Sequence, residues 1–388
     1  MCEWRSAPTK TPRPWLWAAV ATALAACGKE PTQTVPEPPM VRAISTGAAH
    51  TCALATDSTA YCWGDDAYGQ LGDGFTVGSS TPIPVAGGRK FTSIATGQNH
   101  SCAIAAGGAV YCWGGRLATG SPDSSLVPHA VASSLTFESI AAGPFETCGI
   151  TASGLAYCWG SNAYGQLGDS STTDRMAPVA VAGGLTFAAI SAGGGHTCGI
   201  ASNGAAYCWG ENYDGELGDG STINSAVPVA VAGGLRFTTV SAGSGYPGHT
   251  CGVTTGGVAY CWGDNIHGEL GDGTTGNWVA PVAVAGDLRF ASMSAGFDHT
   301  CGITTGGAAY CWGDNSFFQL GNGTATGSPV PVAVGGGLVF SSISAGESHT
   351  CGVTRSGVAY CWGDNAGGRL GDGTTTARDQ PTQVDLFR

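Results

Sequence analysis

Fourteen of the sixteen cysteines fall into seven pairs of identical spacing: Cys52 with Cys62, Cys102 with Cys112, Cys148 with Cys158, Cys198 with Cys208, Cys251 with Cys261, Cys301 with Cys311, and Cys351 with Cys361. Paired cysteines serve either as thiolate ligands or as a disulfide. The spacing is not the short one of zinc knuckles, and one hairpin would supply only two ligands, so the disulfide is preferred. In the stretch TCGITTGGAAYCW, Thr300 to Trp312, Cys301 opposite Cys311 closes on the loop Thr305, Gly306, Gly307. Such a three-residue loop ends in a left-handed residue, and that position is Gly108, Gly154, Gly204, Gly257, Gly307 and Gly357, with Ser58 in the first copy. Counting outward from Thr304 and Ala308, the cysteines fall on a non-hydrogen-bonded pair, where α-carbons come closest. Each bridge closes a small loop and contributes on the order of 2 to 3 kcal/mol. Disulfides at this density belong to an exported protein.

Three further residue types recur at fixed distance from the cysteines. A histidine stands two positions before the first cysteine in six copies (His50, His100, His196, His249, His299, His349), with Glu146 in the third. Alternation puts it on the cysteine's strand face, toward a neighbouring unit. A metal or proton site is one use of such histidines, but repetition scatters them rather than gathering them, which favours a hydrogen-bonded packing role. Trp63, Trp113, Trp159, Trp209, Trp262, Trp312 and Trp362, with the tyrosines two positions earlier, read as core wedges ahead of a sugar platform. Asp73, Asp169, Asp219, Asp272 and Asp372, with Asn322 in the sixth copy, lie in L-G-D-G. Without the D-x-D-x-D-G series they suit turn-making better than calcium. No nucleophile elbow, phosphate loop or zinc-helix motif occurs, and no cofactor or metal is expected.

The elements that carry these residues repeat. From one leading cysteine to the next the steps are 50, 46, 50, 53, 50 and 50 residues. Each unit holds an apolar stretch ending in Ser-Ala-Gly or a variant, the cysteine hairpin, a loop N-x-x-G-x-L-G-D-G, and a last strand beginning at P-x-x-V (Pro82, Pro128, Pro178, Pro228, Pro281, Pro331, Pro381). Four short strands per unit of this length, seven times over, predict an all-β, seven-bladed propeller with one disulfide per blade. A terminal strand from Pro381 should complete a blade beside the N-terminal one. The 65 glycines and the 11% content of charged residues fit a folded chain of short strands and turns.

Ahead of the repeats, three basic residues precede an apolar run, Trp15 to Ala26, too short to span a membrane as a mature helix. It ends LAACG, which resembles a bacterial lipobox. The expected division is a lipoprotein signal peptide at 1–26, lipidation of Cys27, a Pro-rich tether at 27–39 and the propeller at 40–388, held at the cell envelope outside the cytoplasm through the anchor alone. A net charge of −12 opposes nucleic acid as a partner.

The stretches ISAGGGHTCGI (Ile190 to Ile200) and AYCWGSNAYGQLGD (Ala156 to Asp169) closely resemble repeats of the regulator of chromosome condensation family. The resemblance covers all seven units and implies a seven-bladed propeller. It also implies guanine-nucleotide exchange in the eukaryotic founder, an activity at odds with an exported, acidic chain. Residues that differ between units are the better guide to a site, because a scaffold repeats and a site does not. Tyr68, Tyr164, Tyr213, Phe317 and Phe318 vary after the tryptophan, Tyr246 lies in the longer Ser244 to Gly248 loop, and Trp278 lies in the fifth connection. These are the candidate partner-binding residues. The leading expectation is a non-enzymatic envelope scaffold that recognises an extracellular or envelope protein, or a glycan, through rim loops. The alternative is an extracytoplasmic polysaccharide hydrolase or lyase, which needs acidic residues unique to one or two blades.

Overall fold

The cysteine hairpin is the unit from which the fold is assembled. In the sixth copy Cys301 faces Cys311 in register with α-carbons 4.1 Å apart, the close approach of a non-hydrogen-bonded pair. The turn closes through Gly307 N–H to Thr304 O at 2.8 Å and Thr304 N–H to Ala308 O at 2.9 Å. Gly307 has φ +94°, and Ser58 adopts +69° at the same place. All seven expected disulfides are formed, each within its own hairpin. They mark an oxidising, extracytoplasmic environment.

The computed structural model describes residues 40–115 and 124–386. The expected signal peptide, Cys27 and tether, and residues 116–123 of the second copy, lie outside those residues. In the first blade β1 (Val41–Thr46), β2 (His50–Ala55), β3 (Ala60–Gly64) and β4 (Ser79–Pro84) form an antiparallel meander, and six more sheets repeat that order. Each blade comes from one contiguous stretch of chain. The last strand, Arg378–Gln383, completes the seventh blade. That blade packs on the first, where Val41, Ala53 and Trp63 share an apolar cluster with Cys351, Val353, Cys361 and Leu370. The ring closes by packing, without exchange of a strand. Among the described residues no helix is long and apolar enough to cross a membrane.

One expectation is corrected. The last strand of a blade starts about three residues before its proline, as in Arg175–Ala180 around Pro178. Because this strand is the outer edge of the sheet, a missing N–H costs no ladder bond on its open side. Trp278 is therefore the first residue of an outer strand, Trp278–Ala283, rather than part of a connection.

Between blades, each tryptophan packs on the disulfide of the blade before it. Trp113 lies against Cys52–Cys62 and Trp362 against Cys301–Cys311. Six of the seven meet a phenylalanine of their own innermost strand, with ring centroids 5.7 to 6.0 Å apart, and all seven are fully buried. At the axis the Ser-Ala-Gly glycines come so close that a Cβ on Gly346 would lie 2.7 Å from Gly47 O, and one on Gly47 2.5 Å from Gly97 O. Only glycine allows the inner strands to converge this tightly.

Candidate binding face

Pairing of His50 with Gly64 and the bond from Asp65 N–H to Ala49 O at 2.9 Å put the loop after β1 and the loop after β3 on one face. The repeat carries this to every blade, so Tyr68, Tyr164, Tyr213, Phe317 and Phe318 share a face with Tyr246. The loops are held from inside. Asn162, fully buried, accepts from Leu167 N–H at 2.9 Å and donates to Ser171 O and Thr173 O at 3.0 and 3.1 Å. Asp169 accepts from Ser171 N–H at 3.0 Å and pairs with Arg175. Asp73, Asp219, Asp272, Asn322 and Asp372 make the same turn bond, so these side chains act as loop braces.

The repeated histidines are also accounted for. His349 Nε2 lies 2.9 Å from Thr51 Oγ1, and that hydroxyl donates to Arg369 O, also at 2.9 Å. Its single proton is thereby committed, so the ring must be the donor at Nε2. The same bond links His50 to Ser101, His100 to Thr147, His196 to Thr250, His249 to Thr300 and His299 to Thr350. Burial pushes these imidazoles down, to about 3 for His50 and His249 and about 4 for His100, His196 and His299. They are neutral clasps between blades.

Above this frame the structure separates the candidate aromatics. Tyr164 and Tyr213 meet edge to face at 6.2 Å, Tyr164 and Tyr246 lie 6.3 Å apart, and Phe145 adds a fourth ring 6.4 Å from Tyr246. Tyr213 is the most open of them at 61% exposure. Phe145 escaped the sequence reading because it sits in the loop after the inner strand, although only the third copy has Pro-Phe-Glu where others have a histidine-bearing loop. Tyr68 packs against Gly115. Trp278 donates to Asp272 Oδ2 at 3.0 Å, and Phe318 takes φ +67° at a place where other blades have glycine. No ring contact joins Tyr68, Trp278, Phe317 or Phe318 to the cluster among the described residues.

The cluster borders the axial cavity, about 310 Å³, lined by residues of all seven inner strands, Ile44, Ile94 and Ile140 among mostly small ones, and by Phe145, Tyr246, Phe297 and Glu347 of the loops that follow. Two carboxyl groups act on Tyr246, Glu146 in place of the repeated histidine and Glu211 at a position that is Asp in four other blades. Glu146 is 1% exposed with neither oxygen partnered, and burial holds it well above the usual carboxylate range. Glu211 is pushed up to about 7 by burial, then by Glu216 and Asp214. Burial and these two carboxylates also drive the Tyr246 phenol upward. The face thus sets aromatic rings beside two acids whose ionisation burial disfavours.

Family models match where the repeats lie: an RCC1-like domain over residues 17–301, and regulator of chromosome condensation (RCC1) repeats over 290–319, 340–369, 306–353 and 356–388. No curated protein matches the chain. Among solved structures, human WBSCR16 aligns with TM-score 0.77 at 20% identity, covering 84% of this chain and 94% of its own. Yeast RCC1 (Prp20), bound to Kap60, aligns with TM-score 0.74 at 20% identity, covering 84% and 83%. The ectodomain of the Arabidopsis thaliana receptor kinase ACR4 aligns with TM-score 0.55 at 20% identity, covering 90% and 100%. At these identities the likeness is one of fold. The domain model spans well over half the chain, and the chain belongs to the RCC1-like domain family.

Proposed function

We propose that this protein is a non-enzymatic binding propeller outside the cytoplasm, which takes a protein on the face bearing Tyr164, Tyr213 and Tyr246. In this reading residues 1–26 are a signal, Cys27 is the lipidated end and 27–39 the tether that keeps the propeller at the cell envelope. The observation that carries it is the continuous run of rings Phe145, Tyr246, Tyr164 and Tyr213, drawn from three blades onto an otherwise repetitive scaffold. Rigidly held aromatics are the usual anchors of protein interfaces. Yeast RCC1 (Prp20), which shares this fold, is described as bound to Kap60 and as binding Gsp1p and histones, which supports protein as the ligand class.

The test is a photo-crosslinking residue at position 213 in intact cells. A discrete protein adduct that disappears when Tyr164 and Tyr246 are both alanine supports the reading. An adduct of unchanged yield removes these rings from the site, and a glycan adduct moves the ligand class to polysaccharide. One observation favours a second reading, polysaccharide cleavage: Glu146, which stands where six blades have histidine, and Glu211 of the next blade both act on Tyr246, which lines the axial cavity. Release of reducing ends that is lost in Glu211→Gln would establish it.

A further inference from the structure

The rim loops of three blades share a side-chain pairing that two adjacent blades replace by a pair of acids. A residue at the start of the loop pairs with the residue five positions on. Gln70 Nε2 donates to Asp65 Oδ2 at 2.8 Å, Gln319 Nε2 to Asp314 Oδ2 at 2.7 Å, and Arg369 pairs with Asp364 at 3.1 Å. In blades four and five the pairs are instead Glu211 with Glu216 and Asp264 with Glu269. The glutamate keeps one half of the glutamine's role: Glu269 Oε2 accepts from His267 N–H at 2.9 Å, as Gln70 Oε1 accepts from Tyr68 N–H. Its other oxygen stands where the amide donor was.

A carboxylate thus meets a carboxylate, and Asp264 Oδ1 has no hydrogen-bond partner although the residue is only 3% exposed. A buried anion in that state calls for a cation. The fifth blade also supplies an imidazole. His267 Nδ1 lies 3.1 Å from Glu269 Oε1 and 4.0 Å from Asp298 Oδ1, and the ligand atoms of all three lie within 4.8 Å of one another. Electrostatically, Asp264 acts on both Glu269 and Asp298. Tetrahedral ligands roughly 2.0 to 2.1 Å from an ion stand about 3.4 Å apart, so the His267 to Glu269 separation already fits, and Asp298, within 4.8 Å of both, has to move in toward them. The fourth blade has the carboxyl pair without an imidazole, since Tyr213 and Asp214 occupy the intervening loop.

We infer that His267, Glu269 and Asp298 form a divalent metal site of the zinc class bridging the fifth and sixth blades, with the buried Asp264 adding negative charge nearby. One nitrogen and several carboxylate oxygens favour a first-row transition ion over calcium or magnesium, which take all-oxygen sets. The site is separate from the aromatic cluster, so it stands whether or not that cluster binds protein.

The experiment is calorimetric titration of ZnCl2 into the oxidised, chelator-stripped protein. The expected result is one saturable equivalent, weakened at least tenfold in His267→Ala and in Asp298→Asn. Both side chains are partly exposed, so the metal-free variants should unfold at the wild-type midpoint. Glu211→Gln, at the pair without an imidazole, should bind as the wild type does. A Co2+ complex whose visible absorption is lost in His267→Ala gives a second readout. Absence of saturable Zn2+ binding to the wild type, or equal affinity in the His267 and Asp298 variants, overturns the assignment.

Discussion

His349 in the last blade donates from Nε2 to Thr51 Oγ1 in the first, 2.9 Å away and fully buried. It is the same clasp that joins most other blades, so the ends of the chain are closed by the rule that governs its middle. His349→Ala should cost about 2 to 3 kcal/mol, the lost bond plus the space left behind. The pH dependence has a definite sign. Burial, then the Arg369 charge, holds His349 well below its ordinary value, so its contribution is full above pH 6.5 and is lost as pH falls. Alanine has no such titration. The gap between wild type and variant, measured by denaturant unfolding at pH 7.5 and 5.5, should therefore narrow at the lower pH by up to about 1.4 kcal/mol per unit. A gap that widens in acid would mean the ring is already charged in the fold.

Asp66 occupies the place that asparagine fills in five other blades, for example Asn162 and Asn365. It keeps the bond from Leu71 N–H at 2.8 Å, but its second oxygen is buried without a partner. Burial raises its pKa to about 6, the Leu71 amide opposes the shift, and Asp73 and Asp65 add to it. The folded state then holds the proton more tightly than the unfolded one. Its contribution is present below about pH 4 and is lost as pH rises toward 6. Asp66→Asn, which restores two N–H donors, should stabilise by about 1 to 2 kcal/mol at pH 7.5 and by nothing near pH 4. Equal midpoints at pH 7.5 would show that the loop of the first blade does not need the donors.

Each disulfide is both a clasp and a packing surface. Replacing Cys301 and Cys311 by alanine should cost about 2 to 3 kcal/mol from the opened loop and more from the void beneath Trp362, whose emission should shift to the red. Non-reducing peptide mapping should recover seven bridges, each inside one hairpin. Free thiols, or a bridge between blades, would contradict the arrangement.

The scaffold was legible because every element states its reason seven times. The hairpin glycines, the cysteine spacing and the Leu-Gly-Asp loops each follow from local rules, and repetition averages away the exceptions, so Ser58 at φ +69° did not obscure the turn. The histidine's partner was less accessible. Its direction toward a neighbouring blade follows from alternation, but a hydroxyl 51 residues away, as from His299 to Thr350, needs the blade spacing. The site was legible only in part. Tyr164, Tyr213 and Tyr246 stood out as departures from the repeat and do meet, whereas Tyr68, Trp278 and Phe317 depart equally and lie apart, because distance around a ring cannot be read from variation along a chain. Phe145 and the carboxyl pair Asp264 with Glu269 were missed for the converse reason. Each looks ordinary alone and becomes informative only beside its counterpart in another blade.

Gly195 is where the binding face and the scaffold can be separated. It is buried beneath the cluster, and a Cβ built on it would collide with Glu211 Oε2 and come within 3.0 Å of Tyr246 Cε1. Its backbone angle is not left-handed, so alanine meets a steric obstacle there and no conformational one. Gly195→Ala should therefore push Tyr246 and Glu211 outward while leaving the clasps and disulfides of the fourth blade in place. The expected outcome is an unfolding midpoint close to wild type together with loss of the adduct formed from position 213. If the rings merely decorate the rim, the variant will crosslink as the wild type does. If Gly195 supports the blade itself, the midpoint will fall by several degrees before any effect on capture is seen, and Tyr164→Ala, which removes the central ring without crowding the loop, then decides between the two.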